Sequence, residues 1–160
     1  MAAAHPDASG GAESWEPFYG DREVKMSGGT LRTLLSIVII AHGAGHFLLL
    51  APCVGLAEWG QAAHSWLLTS LAGEVTTRVV GGFLWVAVIG GFSAAGAGLL
   101  GQRSWWRAAA VSAAVVSLLA LVIFASGTET QPLLSAAAMD VAVLVALLWI
   151  HWPTAALIGA

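Results

Sequence analysis

The chain reads as an all-α polytopic membrane protein: a four-transmembrane-helix bundle with an interfacial helix in its first outer loop. Three observations predict this. Hydrophobic residues make up 58% of the 160 residues and charged residues only 9%, too few charges to give a soluble domain of this size a polar exterior. Four apolar runs, about residues 31–53, 75–100, 105–125 and 133–150, each have the length a helix needs to cross a bilayer. Together they leave room for one small bundle, residues 30–152, and for no separate globular domain.

Residues 1–29 are rich in Ala, Gly and Ser and hold five acids, a composition that predicts a flexible cytoplasmic tail. Trp15, Pro17, Phe18 and Tyr19 give that tail an alternative, contact with the headgroup region or with a partner. It has no basic start followed by a short apolar core, so the first run is expected to be a retained span rather than a signal peptide.

The first span carries the most informative feature of the chain. His42 and His46 stand four residues apart within an apolar stretch, a spacing that puts both imidazoles on one helix face. Ionisable side chains are costly to bury in a membrane and commonly face a partner or a cavity, so they mark a site. The fourth span holds the other strong case, Asp140.

Residues 54–74 are too many for a simple turn. Leu56, Trp59, Ala63, Leu67 and Leu71 recur near helical spacing, with Glu58, Gln61, His64 and Ser65 between them. The pattern predicts a short helix in the outer interface, with Trp59 and Trp66 at headgroup depth. Glu58, Gln61 and His64 would then form either a lid over the site or a solvated face.

Helices in lipid associate through close backbone approach and polar contacts. The second span carries Gly90, Ala94 and Gly98 at four-residue intervals, with Gly91 and Ala95 beside them, and the third carries Ala109, Ala113 and Ser117. These stripes predict tight antiparallel packing across the turn at residues 101–104. Trp105 and Trp106, with Trp149 and Trp152, are expected to form the inner aromatic belt. Residues 153–160 make a short C-terminal tail.

Basic residues predict orientation. Lys25 and Arg32 precede the first span and Arg103 and Arg107 bracket the second loop, whereas Glu58, Glu74 and Glu129 lie in the first and third loops. Arg78 is the basic exception at the mouth of the second span. Both termini and the second loop are therefore expected in the cytoplasm, with the protein in a bacterial inner membrane. The formal net charge of -3 gives no reason to expect a nucleic-acid partner, and the single cysteine, Cys53, excludes an internal disulfide. Beyond the lipid bilayer, the expected partners are a second copy of the chain or a larger membrane complex.

Counting about 1.5 Å per residue from the outer end of each span puts His46 roughly 10 Å deep, His42 roughly 16 Å and Asp140 about 12 Å. The three can therefore meet, and Arg78 can reach down towards Asp140 from the outer surface. A structural or proton-handling network suits such a group, including one that serves a quinone headgroup. So does a divalent metal held by His42, His46 and Asp140. Haem fits poorly, because two axial ligands must approach the iron from opposite sides. The glutamate of a helical zinc-protease motif is absent, with Gly43 in its place.

Ala41-His42-Gly43-Ala44-Gly45-His46 near the outer end of the first span resembles the DoxX-like family of small bacterial membrane proteins. So do Gly81-Gly82 through Gly90-Gly91 and the glycine-rich ending at residues 96–100 before a basic turn. The resemblance covers about residues 31–150. It implies a four-helix bundle and, as in some members, a link to quinone or thiol redox chemistry. A redox-associated or accessory membrane subunit is thus the leading expectation. A non-catalytic structural membrane protein and a metal-binding or transport protein stand beside it.

Overall fold

The structure is a computed structural model that describes residues 27–57 and 59–159. The expected cytoplasmic tail lies outside the described residues apart from its last three. Ser27 there caps the first helix by accepting a hydrogen bond from the Thr30 amide. Among the described residues every regular element is helical. Helix α1 (Gly28–Gly45) and α2 (Phe47–Cys53) make the first span, α3 (Leu68–Leu100) the second and α4 (Trp106–Ile123) the third. The fourth is α5 (Thr130–Leu144) with a π-helical turn, Val145–Trp149, and α6 (Ala155–Ile158) ends the chain. All four spans are long and apolar enough to cross a membrane.

Helix α3 is the centre of the fold. It packs along α1 and α2 on one side and along α4 on the other, and α5 rests on α4. Trp85, Val88 and Phe92 of α3 form one half of the core with Leu49, Ala113, Ala114 and Phe124. Ala95 and Leu99 form the other half, towards the turn between α3 and α4, with Trp106, Ala110 and Leu147.

Small residues make these approaches possible, on a different stripe from the expected one. Gly90 faces open space and Ala94 is exposed, so neither packs. The contact is made one residue further round the helix. A Cβ on Gly91 would stand 2.9 Å from that of Ala113, and Ala95 is fully buried. Towards α1, a Cβ on Gly96 would meet Ile40 and, at 2.9 Å, the Ser36 carbonyl oxygen. Gly43 fills the reciprocal role, since a Cβ there would lie 2.7 Å from Phe92 Cβ. The glycine standing where a zinc protease has its glutamate is thus a helix-packing residue. Gly98 lies under Trp105 and Trp106, and Trp106 is buried in the core rather than placed in an aromatic belt.

The expected interfacial helix over residues 54–74 does not form as such. The described residues from 54 to 67 are turns, bends and irregular chain, and only residues 68–72 are helical, set off from the rest of α3 by Gly73 at φ 78°. That positive φ is open to glycine at little cost. The loop satisfies its polar groups on the turn between α4 and α5 instead. The Ala62 amide donates to the Gly127 carbonyl (2.7 Å), Ser65 Oγ to that of Ile123 (2.6 Å) and Trp66 Nε1 to that of Val122 (2.8 Å). A helix would have spent its backbone groups on itself.

The side chains at Gly96 and Ala94 should therefore be tolerated very differently. Gly96→Leu must push α1 off α3 and should cost about 1–3 kcal/mol, whereas Ala94→Leu should change stability by less than about 0.5 kcal/mol. Thermal unfolding of both variants in mild detergent checks this, and equal losses would mean that α1 does not seat on Gly96.

Candidate functional site

The first span breaks at His46. Its amide donates to the Gly43 carbonyl at 3.1 Å, and its own carbonyl accepts from both Leu49 and Leu50 at 3.0 Å, so α1 ends and α2 begins on this residue. The His46 ring turns inward and is buried among Trp85 and Phe92, at centroid distances of 5.7 and 6.2 Å. Its Nδ1 lies 3.1 Å from the His42 carbonyl. A carbonyl only accepts, so Nδ1 carries the proton, and Nε2 of the neutral ring then accepts from the Ser117 hydroxyl at 2.8 Å. Both nitrogens of His46 are thus engaged.

One turn earlier, the His42 ring meets that of His46 edge-on at 5.0 Å and that of Phe92 at 4.7 Å. Its Nε2 lies 2.7 Å from Asp140 Oδ1, across the gap between the first and fourth spans. With Asp140 ionised, Nε2–H donates and Nδ1 is the nitrogen left to give or take a proton. Asp140 is completely buried, His42 keeps 11% of its side chain accessible, and the second carboxylate oxygen, Oδ2, has no hydrogen-bond partner. A buried acceptor without a donor is rare and asks for an explanation, such as a proton, an ion or a ligand group.

His42 and His46 line a cavity of about 320 Å³ between the first and fourth spans. Leu48, Leu49 and Ala136 make its walls apolar, while Gln61 and Ser135 add polar groups. Gln61 is buried and its side-chain oxygen accepts from the Glu129 amide at 3.3 Å. Of the three residues expected as a lid, Gln61 therefore borders the cavity. His64 turns away to Ser126 (3.0 Å), and Glu58 lies outside the described residues.

The structure thus brings His42, His46 and Asp140 together and leaves Arg78 apart. Arg78 is exposed and borders a separate depression with Cys53, Val54 and Phe83. Among the described residues, His42–Asp140 is the one close contact between a basic and an acidic side chain. Ser117, counted in the sequence only as a small packing residue, is a direct partner of His46. A hydroxyl in an apolar helix was the available signal, but its pairing needed the contact between spans.

The ligating atoms of His42, His46 and Asp140 all lie within 4.8 Å of one another. Two ligands of a tetrahedral ion with bonds of about 2.0 Å stand about 3.3 Å apart. The 2.7 Å separation of His42 and Asp140 is that of a hydrogen bond, and a metal would have to part them and take His46 Nε2 from Ser117. Comparison with protein-family models, curated proteins and solved structures finds no match. The resemblance to the DoxX-like family gains no support there.

Two bonded pairs make a specific energetic claim. His42→Ala leaves a fully buried carboxylate with no partner and should cost about 3–5 kcal/mol. Asp140→Ala leaves only a cavity-lining imidazole and should cost about half as much, with the double variant well short of the sum. His46 and Ser117 should be coupled in the same way, and His46 with Asp140 more weakly. Unfolding in detergent of these single and double variants gives the coupling directly. Strict additivity for His42 and Asp140 would show that their bond does not hold the spans together.

Proposed function

We propose that the chain is a redox-associated accessory membrane protein whose cavity between the first and fourth spans binds a quinone-type ring, with His42 passing a proton to that ring when an external electron donor reduces it. The observation that carries this reading is the 2.7 Å bond from His42 to Asp140 on the wall of an apolar cavity. A carboxylate behind an imidazole fixes its ring orientation and tautomer, which leaves the other ring nitrogen to pass a proton. Apolar walls with a few polar groups suit a ring that carries oxygen substituents. His46, with both nitrogens engaged, is a positioning residue. The DoxX-like resemblance, resting on the residues around His42 and His46, points the same way.

The test is calorimetric titration of the protein in lipid nanodiscs with decylubiquinone and with menadione. Binding of at least one is expected. His42→Ala should weaken binding about tenfold or more, a loss of about 1.4 kcal/mol, while Arg78→Ala should leave it unchanged. Binding that survives His42→Ala intact, or no binding to wild type, sinks the reading. A divalent metal is the second reading, favoured by the ligand cluster and the unpartnered Asp140 Oδ2. Stoichiometric metal by elemental analysis, lost in His46→Ala, would select it. Retained stability defects with neither ligand nor metal would leave a structural protein.

The reading includes an orientation, supported by the basic residues, with both termini and the second loop in the cytoplasm of a bacterium and the cavity near the outer face. In a Cys53→Ala background, Ser104→Cys should be protected from a membrane-impermeant thiol reagent in intact cells and Trp59→Cys should react. The reverse pattern would invert the site's placement. The exposed apolar residues of the fourth span, among them Leu134, Val141 and Leu148, suit lipid, a second copy or a partner subunit equally.

A further inference from the structure

At the other end of the bundle, the segment after the fourth span folds back across the start of the first. Three side chains hold its carbonyl groups: Arg32 Nη1 on Ile158 (3.1 Å), Gln102 Nε2 on Gly159 (2.6 Å) and Arg107 on Pro153. This strap leaves a recess of about 460 Å³ lined by Arg103, Arg107, His151, Gln102, Ser104 and Thr154. No carboxylate is among the described residues that line it. Apart from Asp140, the described acids are Glu74 and Glu129, which begin the second and fourth spans at the opposite end. Helix α4 also starts here, with no side chain capping its first turn. A helix amino terminus favours an anion.

A second feature meets the first at Trp106, which borders both. It is an almost wholly apolar slot of about 190 Å³ between the first and fourth spans, walled by Leu35, Val38, Met139, Val143 and Trp152. Trp105 and Trp149, both well exposed, mark this level as the membrane interface. Cationic groups at the interface above a groove that opens along the hydrocarbon are matched to one amphiphile.

We infer that the recess and slot together bind an anionic glycerophospholipid, its phosphate at Arg103, Arg107 and His151 and one acyl chain between the first and fourth spans. Basic pockets of this kind hold lipid headgroups through charge, and an apolar slot adds the selectivity for a chain that a free anion lacks. The site is separate from the cavity at His42, which lies beyond the His42–Asp140 bridge, and does not depend on what that cavity binds.

The experiment is native mass spectrometry of the full chain in detergent, titrated with phosphatidylglycerol and with phosphatidylcholine of the same chains. Phosphatidylglycerol should bind about tenfold more tightly. Arg103→Gln, which removes one charge near the surface, should lower that preference about fivefold, and Arg103→Gln with His151→Asn should abolish it. Both positions are exposed, and asparagine suits the positive φ of His151, so the fold should survive. Ala142→Trp, which fills the slot, should weaken both lipids alike. A preference that persists in the double variant overturns the headgroup assignment. Displacement of phosphatidylglycerol by millimolar glycerophosphate, with Ala142→Trp inert, would identify a free-anion site and overturn the lipid.

Discussion

Lipid tails solvate an apolar helix about as well as another apolar helix does, so two spans stay together only where backbones come close or polar groups bond. The first and second spans satisfy this through Gly43 and Gly96, and the second and third through Gly91 and Ala113. The first and fourth have no comparable backbone approach. The side-chain hydrogen bond that joins them within their apolar length is that from His42 to Asp140. It divides the seam between the two spans into a cavity on one side and a slot on the other. The seam is closed beyond the slot by the strap on Arg32 and beyond the cavity by the loop bearing Gln61. Both concavities owe their existence to two helices held at a distance by one polar contact.

That contact is also fixed from behind. Gly43 lets α1 settle on Phe92, which sets the His42 ring against an aromatic edge, and the break in the helix at His46 turns the second imidazole into the core. There Ser117 and the His42 carbonyl fix the ring. Rotation of α1 about its axis would undo the contacts with Phe92, Ser117 and Asp140 together. The order of dependence therefore runs from small residues to helix placement to ring orientation, and only the last step involves charge.

Much of this was legible in the chain. Spans were visible because bilayer thickness imposes a run length on them, and the gathering of His42, His46 and Asp140 followed from depth, a quantity that counting residues supplies, although that count set Asp140 nearer His46 and the bond goes to His42. Rotation about a helix axis is harder to count. The choice between Gly90–Ala94 and Gly91–Ala95 is a turn of about 100° per residue, and both stripes are small, so the sequence pattern could not say which one met Ala113. Arg78 failed for the complementary reason. Its depth was compatible with Asp140, but it lies on an exposed face with Cys53. The first outer loop shows a third limit: helical spacing of Leu56, Trp59 and Ala63 carried no information about the carbonyls of Val122, Ile123 and Gly127 waiting to be bonded.

The placement of the polar contact has a consequence for the proposed chemistry. Asp140 is the only described group that bonds the His42 ring nitrogen, and Asp140 Oδ2 bonds nothing. In the proposed chemistry, an oxygen of a ring reduced by an external electron donor would take a proton from His42 and weaken the attraction between imidazole and carboxylate, and the seam has no packed backbone contact to take its place. Proton exchange and separation of the first and fourth spans are then linked equilibria, so whatever favours the parted spans also favours the altered protonation state. A site built on packed small residues would lack this linkage, because packing is indifferent to protons. The same sparse seam that makes His42–Asp140 structurally necessary is what would let its protonation be felt along the whole length of the fourth span.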